Sequence, residues 1–402
     1  MSPLASRMAR FSTSPSQIMS LRVREMQAAG EDIVKLTQGE PEFPTPDHIK
    51  QAAVAAMAAD DTKYPPVAGT AALRQAVAEK FQTDNGLDYA PNEIVVGAGA
   101  KQILFDSLMA LVDEDDEAVI AAPYWTSYPD MVRLAGGTPV IVDTELQNGH
   151  KMTPAELDRA LGPKTKILVL NSPCNPTGAV YDADELAGLA DVLRRYPNVI
   201  VLSDDIYEHL IFDGRPFSTL AQVAPDLKDR TITINGVSKA HAMTGWRIGF
   251  AGGPASLIAG LVKIQSQSTG GISTISQAAA VEALRGNQDH VGERTAILAN
   301  RRDRLLAAVK TIDGLDATRP DGALYLYCRC EGVIGTTSPA GRRIESDNDF
   351  AEYLIEEAGV AVVAGAAYGL SPYIRVSFTI SEADLDKAAA RLADGVAKLR
   401  RQ

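Results

Sequence analysis

Cysteine, histidine and net positive charge are what this chain has least of. Three cysteines in 402 residues cannot staple a disulfide framework. Cys328 and Cys330 alternate in the run LYLYCRC, which places both thiols on one face of a strand. With no further Cys or His beside them, they read as inert thiols of a reducing cytoplasm rather than a metal or redox pair. Five scattered histidines give no metal-ligand spacing, and no metal is expected. Lys plus Arg number 39 against 51 Asp plus Glu, a formal charge of -12. That excludes the basic footprint a nucleic-acid partner demands. No apolar run reaches about 18 residues, so no membrane span is expected. Internal repeats, low-complexity tracts and long polar linkers are also missing.

The remaining composition is 46% hydrophobic and 22% charged, enough to bury a sizeable core. The length suggests two or three domain-sized units. An acidic chain that handles anions must concentrate positive charge locally, so arginines and lysines in unusual contexts matter. The first 24 residues carry Arg7, Arg10, Arg22 and Arg24, several serines and no acid. They resemble a transit peptide weakly and are read instead as an arm that packs on a partner subunit or on the chain's own small domain.

From about residue 93 to 252, short β-branched runs (93–96, 118–121, 139–142, 166–170, 199–202, 231–234, 248–251) alternate with helical stretches (101–112, 126–134, 153–161, 182–195). Several runs are apolar without alternation, as strands covered on both faces are. The pattern predicts an α/β layer fold with a mostly parallel seven-stranded sheet covered by helices. Residues 255–311 read as long helices, and from about 315 strands and helices mix. A large domain over 46–295 and a smaller α+β domain made of 1–45 with 296–402 are expected.

Ligands of open α/β sheets bind beyond the carboxyl ends of strands. Gly97-Ala-Gly-Ala-Lys101 follows the first run and opens a helix, where free N–H groups suit a phosphate; a tight turn without ligand has the same sequence. Trp125 follows the second run, where a planar ligand could stack or the ring could simply pack. Asn171–Gly178 is stiffened by two X-Pro steps. Asp204 and Asp205 end a fully apolar strand, so burial would demand a cationic partner or a pKa shift. Lys239 and Arg247 close the series: a desolvated lysine frees its amine for imine chemistry, and an arginine clamps phosphate bidentately. Each element is ambiguous alone; their order is not.

Ser238 to Gly249 (SKAHAMTGWRIG) closely resembles the cofactor-lysine motif of class I pyridoxal-phosphate-dependent aminotransferases, of fold type I. Asn171–Gly178, Asp204 to Tyr207, Lys63 to Gly69 (KYPPVAG) and Pro123 to Trp125 match as well, and the likeness runs from Gly39-Glu-Pro41 to Arg375-Val-Ser377. The branch it resembles most holds aspartate and prephenate aminotransferases. The resemblance implies pyridoxal 5'-phosphate as cofactor and Lys239 as the residue that forms the Schiff base and moves the substrate proton. It implies Asp204 paired with the pyridine nitrogen, and Tyr207 and Asn175 at the phenolic oxygen. Trp125 would stack on the ring. Arg247, Lys101, Gly99, Ala100 and Ser238 would hold the phosphate. Tyr64 would reach the phosphate of a neighbouring subunit, making a homodimer with shared sites. Arg375, helped by Gly39, would bind the substrate α-carboxylate, with Trp125 and Asn175 beside it. Relatives read Asp-Glu-Ile-Tyr where this chain has Asp204-Asp205-Ile-Tyr207; Asp205 is taken as a second-layer or surface carboxylate.

The substrates implied are an L-amino acid and a 2-oxo acid such as 2-oxoglutarate. Dicarboxylate specificity needs a second cation, sought in the arm near residues 11–14. No lysine stands there, and none of the arginines falls within 264–274. Three readings follow: an aspartate-type aminotransferase, one for aromatic, prephenate-like or other non-dicarboxylic amino acids, and a β-lyase sharing fold and lysine. A cofactor-binding regulator is disfavoured, since no spare basic segment is present.

Overall fold

The computed structural model describes residues 3–11, 13 and 15–401. Of the stretch in which a second-carboxylate lysine was sought, Ser12 and Ser14 lie outside the described residues.

Seven strands form the central sheet: β2 (Ile94–Gly97), β3 (Glu117–Ala122), β4 (Thr138–Asp143), β5 (Thr165–Asn171), β6 (Ile200–Asp204), β7 (Thr231–Gly236) and β8 (Gly249–Gly252). Their order is β2-β8-β7-β6-β5-β3-β4. Only β8 runs against its neighbours; the others are mutually parallel. The apolar runs lack alternation because both faces are covered. On one face Val95, Ile120, Ile167 and Val169 pack under α4 (Ala100–Leu111), α5 (Ser127–Ala135) and α9 (Ala255–Gln267). On the other, Val119, Leu168 and Val201 meet α6 (Pro154–Ala160), α7 (Ala183–Leu193) and α8 (Leu220–Val223). Further along that face, Ile94 and Val96 meet α2 (Asp47–Ala58), α3 (Ala71–Asn85) and α10 (Thr274–Arg285).

Helix α7 illustrates the local logic. Asp182 and Glu185 form a capping box at its start, satisfying donors that would otherwise be orphaned. Leu186, Leu189, Ala190 and Leu193 then recur at i, i+3, i+4 and i+7 and are all buried, each leucine stabilising by about 1.5–3 kcal/mol.

The long helix α11 (Asp289–Val309) leads to a second sheet of order β13-β14-β10-β9, built from β9 (Asp316–Ala317), β10 (Tyr325–Arg329), β13 (Val363–Ala364) and β14 (Tyr373–Ser377). Its core joins Leu326, Cys328, Ile374 and Val376 to α12 (Asp347–Glu357) and α13 (Glu382–Lys398). A small ribbon pairs β11 (Thr336–Thr337) with β15 (Arg400–Arg401). Part of the N-terminal segment packs on this half, whereas the 3-10 turn Ser6–Arg10 lies against α5. Strand β1 (Val34–Lys35) pairs in parallel with β12 (Val360–Ala361), and α1 (Pro15–Ala28) seats Val23 against Ile33, Ile355 and Ala361. The arm therefore packs on its own chain. Cys328 and Cys330 are fully buried and unpaired; burial pushes the Cys328 thiol up to about 12, leaving it inert. Cys330 lies one residue past the end of β10.

Candidate active site

Because β8 is antiparallel, its N-terminal end lies at the same sheet edge as the C-terminal ends of β2, β3, β5, β6 and β7. That edge opens into a cavity of about 720 Å³ roofed by α1 and the segment 35–40. Ala100, Lys101, Trp125, Asn175, Asp204, Tyr207, Ser238, Lys239, Arg247, Gly39 and Arg375 all line it. Gly99 is packed beneath the Arg247 guanidinium. Tyr64 does not line the cavity; its side chain is fully exposed.

The anion cradle is built from close backbone approach. Gly99 stands at φ 87° as the N-cap of α4, and a Cβ there would overlap Arg247. A Cβ on Gly249 would overlap the Ala100 amide. Only glycine allows strand and helix start to meet so closely. Arg247, itself at φ 56°, donates to Ala98 O and Thr244 O at 2.9 Å each. A cation thus sits beside free helix N-terminal amides, an arrangement suited to phosphate. Lys101 lies on the first turn of α4, but its ammonium stands over the Trp125 ring, 4.8 Å from the centroid. Burial, and then Arg247, lower its pKa.

The floor carries one carboxylate. Asp204 ends β6, is buried, and accepts from Tyr128 OH at 2.6 Å. Burial raises its pKa to about 6, with Tyr128 and the Ile206 amide opposing. No cation pairs with it among the described residues, so the site holds a buried acid suited to a protonated ring nitrogen. Its neighbour Asp205 is not a surface group. It is 2% exposed, takes a bond from Ser203 Oγ at 2.8 Å, and burial raises its pKa to about 7. Successive strand residues point to opposite faces, so Asp205 is sent into the protein behind the sheet edge.

Lys239 follows β7. Its ammonium donates to Gly39 O and stands 5.4 Å from the Tyr207 ring centroid. Burial lowers its pKa, favouring the free amine that imine chemistry uses. Tyr207 OH and Tyr325 OH are 3.0 Å apart. Burial, then Tyr325, hold the Tyr207 phenol protonated, well above its ordinary value.

Arg375 on β14 reaches in from the second sheet. It is 4% exposed and donates to Asn175 Oδ1 at 3.0 Å and to Thr37 O at 2.7 Å. Its Cζ lies 4.2 Å from the Tyr325 ring centroid, and its Nε is buried without a partner. A guanidinium buried among neutral acceptors calls for an anion. Asn175 is held in turn by Asn171 Oδ1, which accepts its backbone N–H at 2.9 Å.

Sequence reasoning missed Tyr128, Tyr325 and Thr37. Tyr128 had a local signal, since it lies one turn after Trp125, whose carbonyl accepts its N–H at 3.1 Å, and the two rings meet edge-on at 5.2 Å. Tyr325 and Thr37 had none, because their roles depend on contacts distant in sequence.

Residues 31–392 match the family model described as aminotransferase class I and II. The chain is 48% identical to the aspartate aminotransferase of Rhizobium meliloti strain 1021 over 97% of its own length and 95% of the relative's. It is equally identical to the aspartate/prephenate aminotransferase of Cereibacter sphaeroides, over 97% of each. The crystal structure of the aspartate aminotransferase from Rhizobium meliloti superposes with a TM-score of 0.97 at 47% identity, covering all of both chains. The Thermus thermophilus aspartate aminotransferase with maleate gives 0.91 at 40%, covering 98% and 100%. Fold, cavity and likeness agree: the chain belongs to the class I and II aminotransferases.

Proposed function

We propose that the protein is a pyridoxal-phosphate-dependent aminotransferase that takes aspartate as amino donor and 2-oxoglutarate as acceptor. One observation carries this reading. A single cavity holds Lys239, Arg247 and Arg375, none in an ion pair among the described residues, and a buried Asp204 that likewise has no ion-pair partner among them. These charges are complementary to an anionic cofactor with a protonated ring nitrogen and to a carboxylate substrate.

The cofactor, when bound, supplies an electron sink for negative charge at the substrate Cα. Lys239 would hold its aldehyde, Arg247 with Gly99, Ala100, Lys101 and Ser238 its phosphate, Asp204 its ring nitrogen, Tyr207 and Asn175 its phenolic oxygen, and Trp125 its ring face. Arg375, fixed by Asn175 and Thr37 O, orients the substrate through its α-carboxylate, with Gly39 beside it. Lys239 Nζ, favoured as the free amine by burial, takes the proton from Cα. The names of the relatives, aspartate and aspartate/prephenate aminotransferases, support the aspartate-type reading over a non-dicarboxylic one.

Residues 46–295 are read as the cofactor-binding domain, and 1–45 with 296–402 as the domain that closes over substrate. The full exposure of Tyr64 supports a homodimer in which this phenol reaches the partner's phosphate. The free thiols suit a reducing cytoplasm.

A screen of donors against the holoenzyme, followed at the cofactor's absorption bands, tests the reaction. Aspartate should convert the cofactor to its amine form faster than phenylalanine or arginine; an aspartate rate far below the others refutes the specificity. Release of ammonia and pyruvate without a keto acid would indicate a β-lyase. Light scattering should find no active monomer.

A further inference from the structure

We propose that Lys35 and Arg24 form the subsite for the second carboxylate of a dicarboxylic substrate; this rests on the dicarboxylate reading above. The segment 34–37 is extended. Val34 and Leu36 enter the core, whereas Lys35 and Thr37 line the cavity, the two-residue alternation of a strand. Thr37 O holds Arg375, so the next cavity-facing residue back along the strand is a lysine. Two residues of strand span about 6.6 Å. Three C–C bonds of about 1.5 Å separate the carboxyl carbons of aspartate, and the flexible stem of lysine closes the difference. A substrate anchored on Arg375 can therefore direct its far carboxylate to Lys35.

The roof supplies the second cation. Helix α1 turns Val23 into its apolar seat with Met19 and Met26 packed against it. The adjoining face, Gln17, Ser20, Leu21 and Arg24, lines the cavity at the i, i+3, i+4, i+7 spacing of one helical face. Arg24 is the only charge on it. Neither Lys35 nor Arg24 forms an ion pair among the described residues, although most arginines of this acidic chain do. The rim carboxylate Glu40 accepts from Thr244 Oγ1 at 2.6 Å and pairs with neither cation. Two cations without counter-ions on one wall, a strand step from the α-carboxylate clamp, make an anion subsite whose occupant is part of the substrate. Lys101 is the rival, since it also lines the cavity without an ion pair, but it stands over Trp125 on the opposite, sheet-edge wall.

Equilibrium binding of maleate, a dicarboxylate without an amino group, and of 3-phenylpropionate, a monocarboxylate, to the holoenzyme tests this without turnover. Lys35→Gln and Arg24→Gln should each weaken maleate about 10- to 100-fold, the worth of one charged hydrogen bond, and 3-phenylpropionate far less. Lys35→Arg and Arg24→Lys keep the charge and should restore maleate binding. The proposal is overturned if maleate binding survives both Gln variants, if the loss is confined to Lys101→Gln, or if the charge-conserving variants fail equally. Wild type binding maleate no tighter than 3-phenylpropionate would instead overturn the dicarboxylate reading itself.

Discussion

Tyr128 donates its hydroxyl to Asp204 Oδ2 at 2.6 Å, and both groups are buried under the cavity floor. The bond favours the ionised carboxylate against burial, which pulls the other way. Tyr128→Phe leaves that oxygen without its donor, a cost of about 1–3 kcal/mol for a buried acceptor. The Asp204 pKa should rise and its proposed hold on a protonated ring nitrogen weaken, so kcat should fall by roughly 10-fold or more. Steady-state kinetics and cofactor dissociation check this; unchanged values for both would deny Tyr128 the role.

Lys239→Ala removes the amine but none of the phosphate contacts around Arg247. The variant should still bind cofactor, lose the absorbance of the covalent form, resist trapping by borohydride, and lose roughly 10³-fold or more in turnover. Transamination at a normal rate would overturn the functional reading as a whole.

Gly249→Ala places a methyl group into the Ala100 amide. The start of α4 must shift, at a cost of about 1–3 kcal/mol for overpacking. Cofactor affinity should fall along with the melting temperature, because the displaced amides are those proposed to hold the phosphate. Gly245→Ala, where a Cβ meets nothing within 4 Å, should change the melting temperature little.

His241, two residues past Lys239, contacts His290 through Nδ1···Nε2 at 3.1 Å. Burial, then His209, His290, Arg294 and His48, lower its pKa to about 3. The native state refuses a proton that the unfolded chain accepts near its ordinary value of 6.5. Stability from this group is therefore full above that value and drains as pH falls, by about 1.4 kcal/mol per pH unit. His241→Phe should flatten the fall in urea midpoint between pH 6 and about 4. Asp205 acts in the opposite sense, since its raised pKa withdraws stability as pH rises towards 7, but both proteins share it. Parallel curves for the two proteins would refute the assignment.

Much of this was legible in the chain. The apolar runs marked the strands, and the residues just after them marked the cavity, because a parallel sheet brings its strand ends together. Arg247 was legible as a possible phosphate clamp, but its place at that edge was not, since it depends on β8 running backwards. Asp205 was left open between a second layer and the surface, because one position beyond a strand decides between cavity, interior and solvent; it is buried. The histidines looked scattered, yet His48, His241 and His290 meet: ring centroids lie 5.3 Å apart for His241 and His290 and 5.8 Å for His48 and His290. Convergence of that kind has no signature in a linear pattern.

The carbonyls of Thr37 and Gly39 hold Arg375 and Lys239 respectively, with Lys35 and Gln38 on the same short segment. The groups proposed to perform the reaction rise from the central sheet, whereas Lys35 and Arg24, proposed to meet the substrate's outer end, lie on this segment and on α1. Chemistry and taste are thus encoded in separate stretches of the chain. Exchanging Arg24 together with residues 35–40 for those of a relative should redirect which amino acid is accepted while leaving the proton-moving apparatus intact, so new donors become reachable by few substitutions.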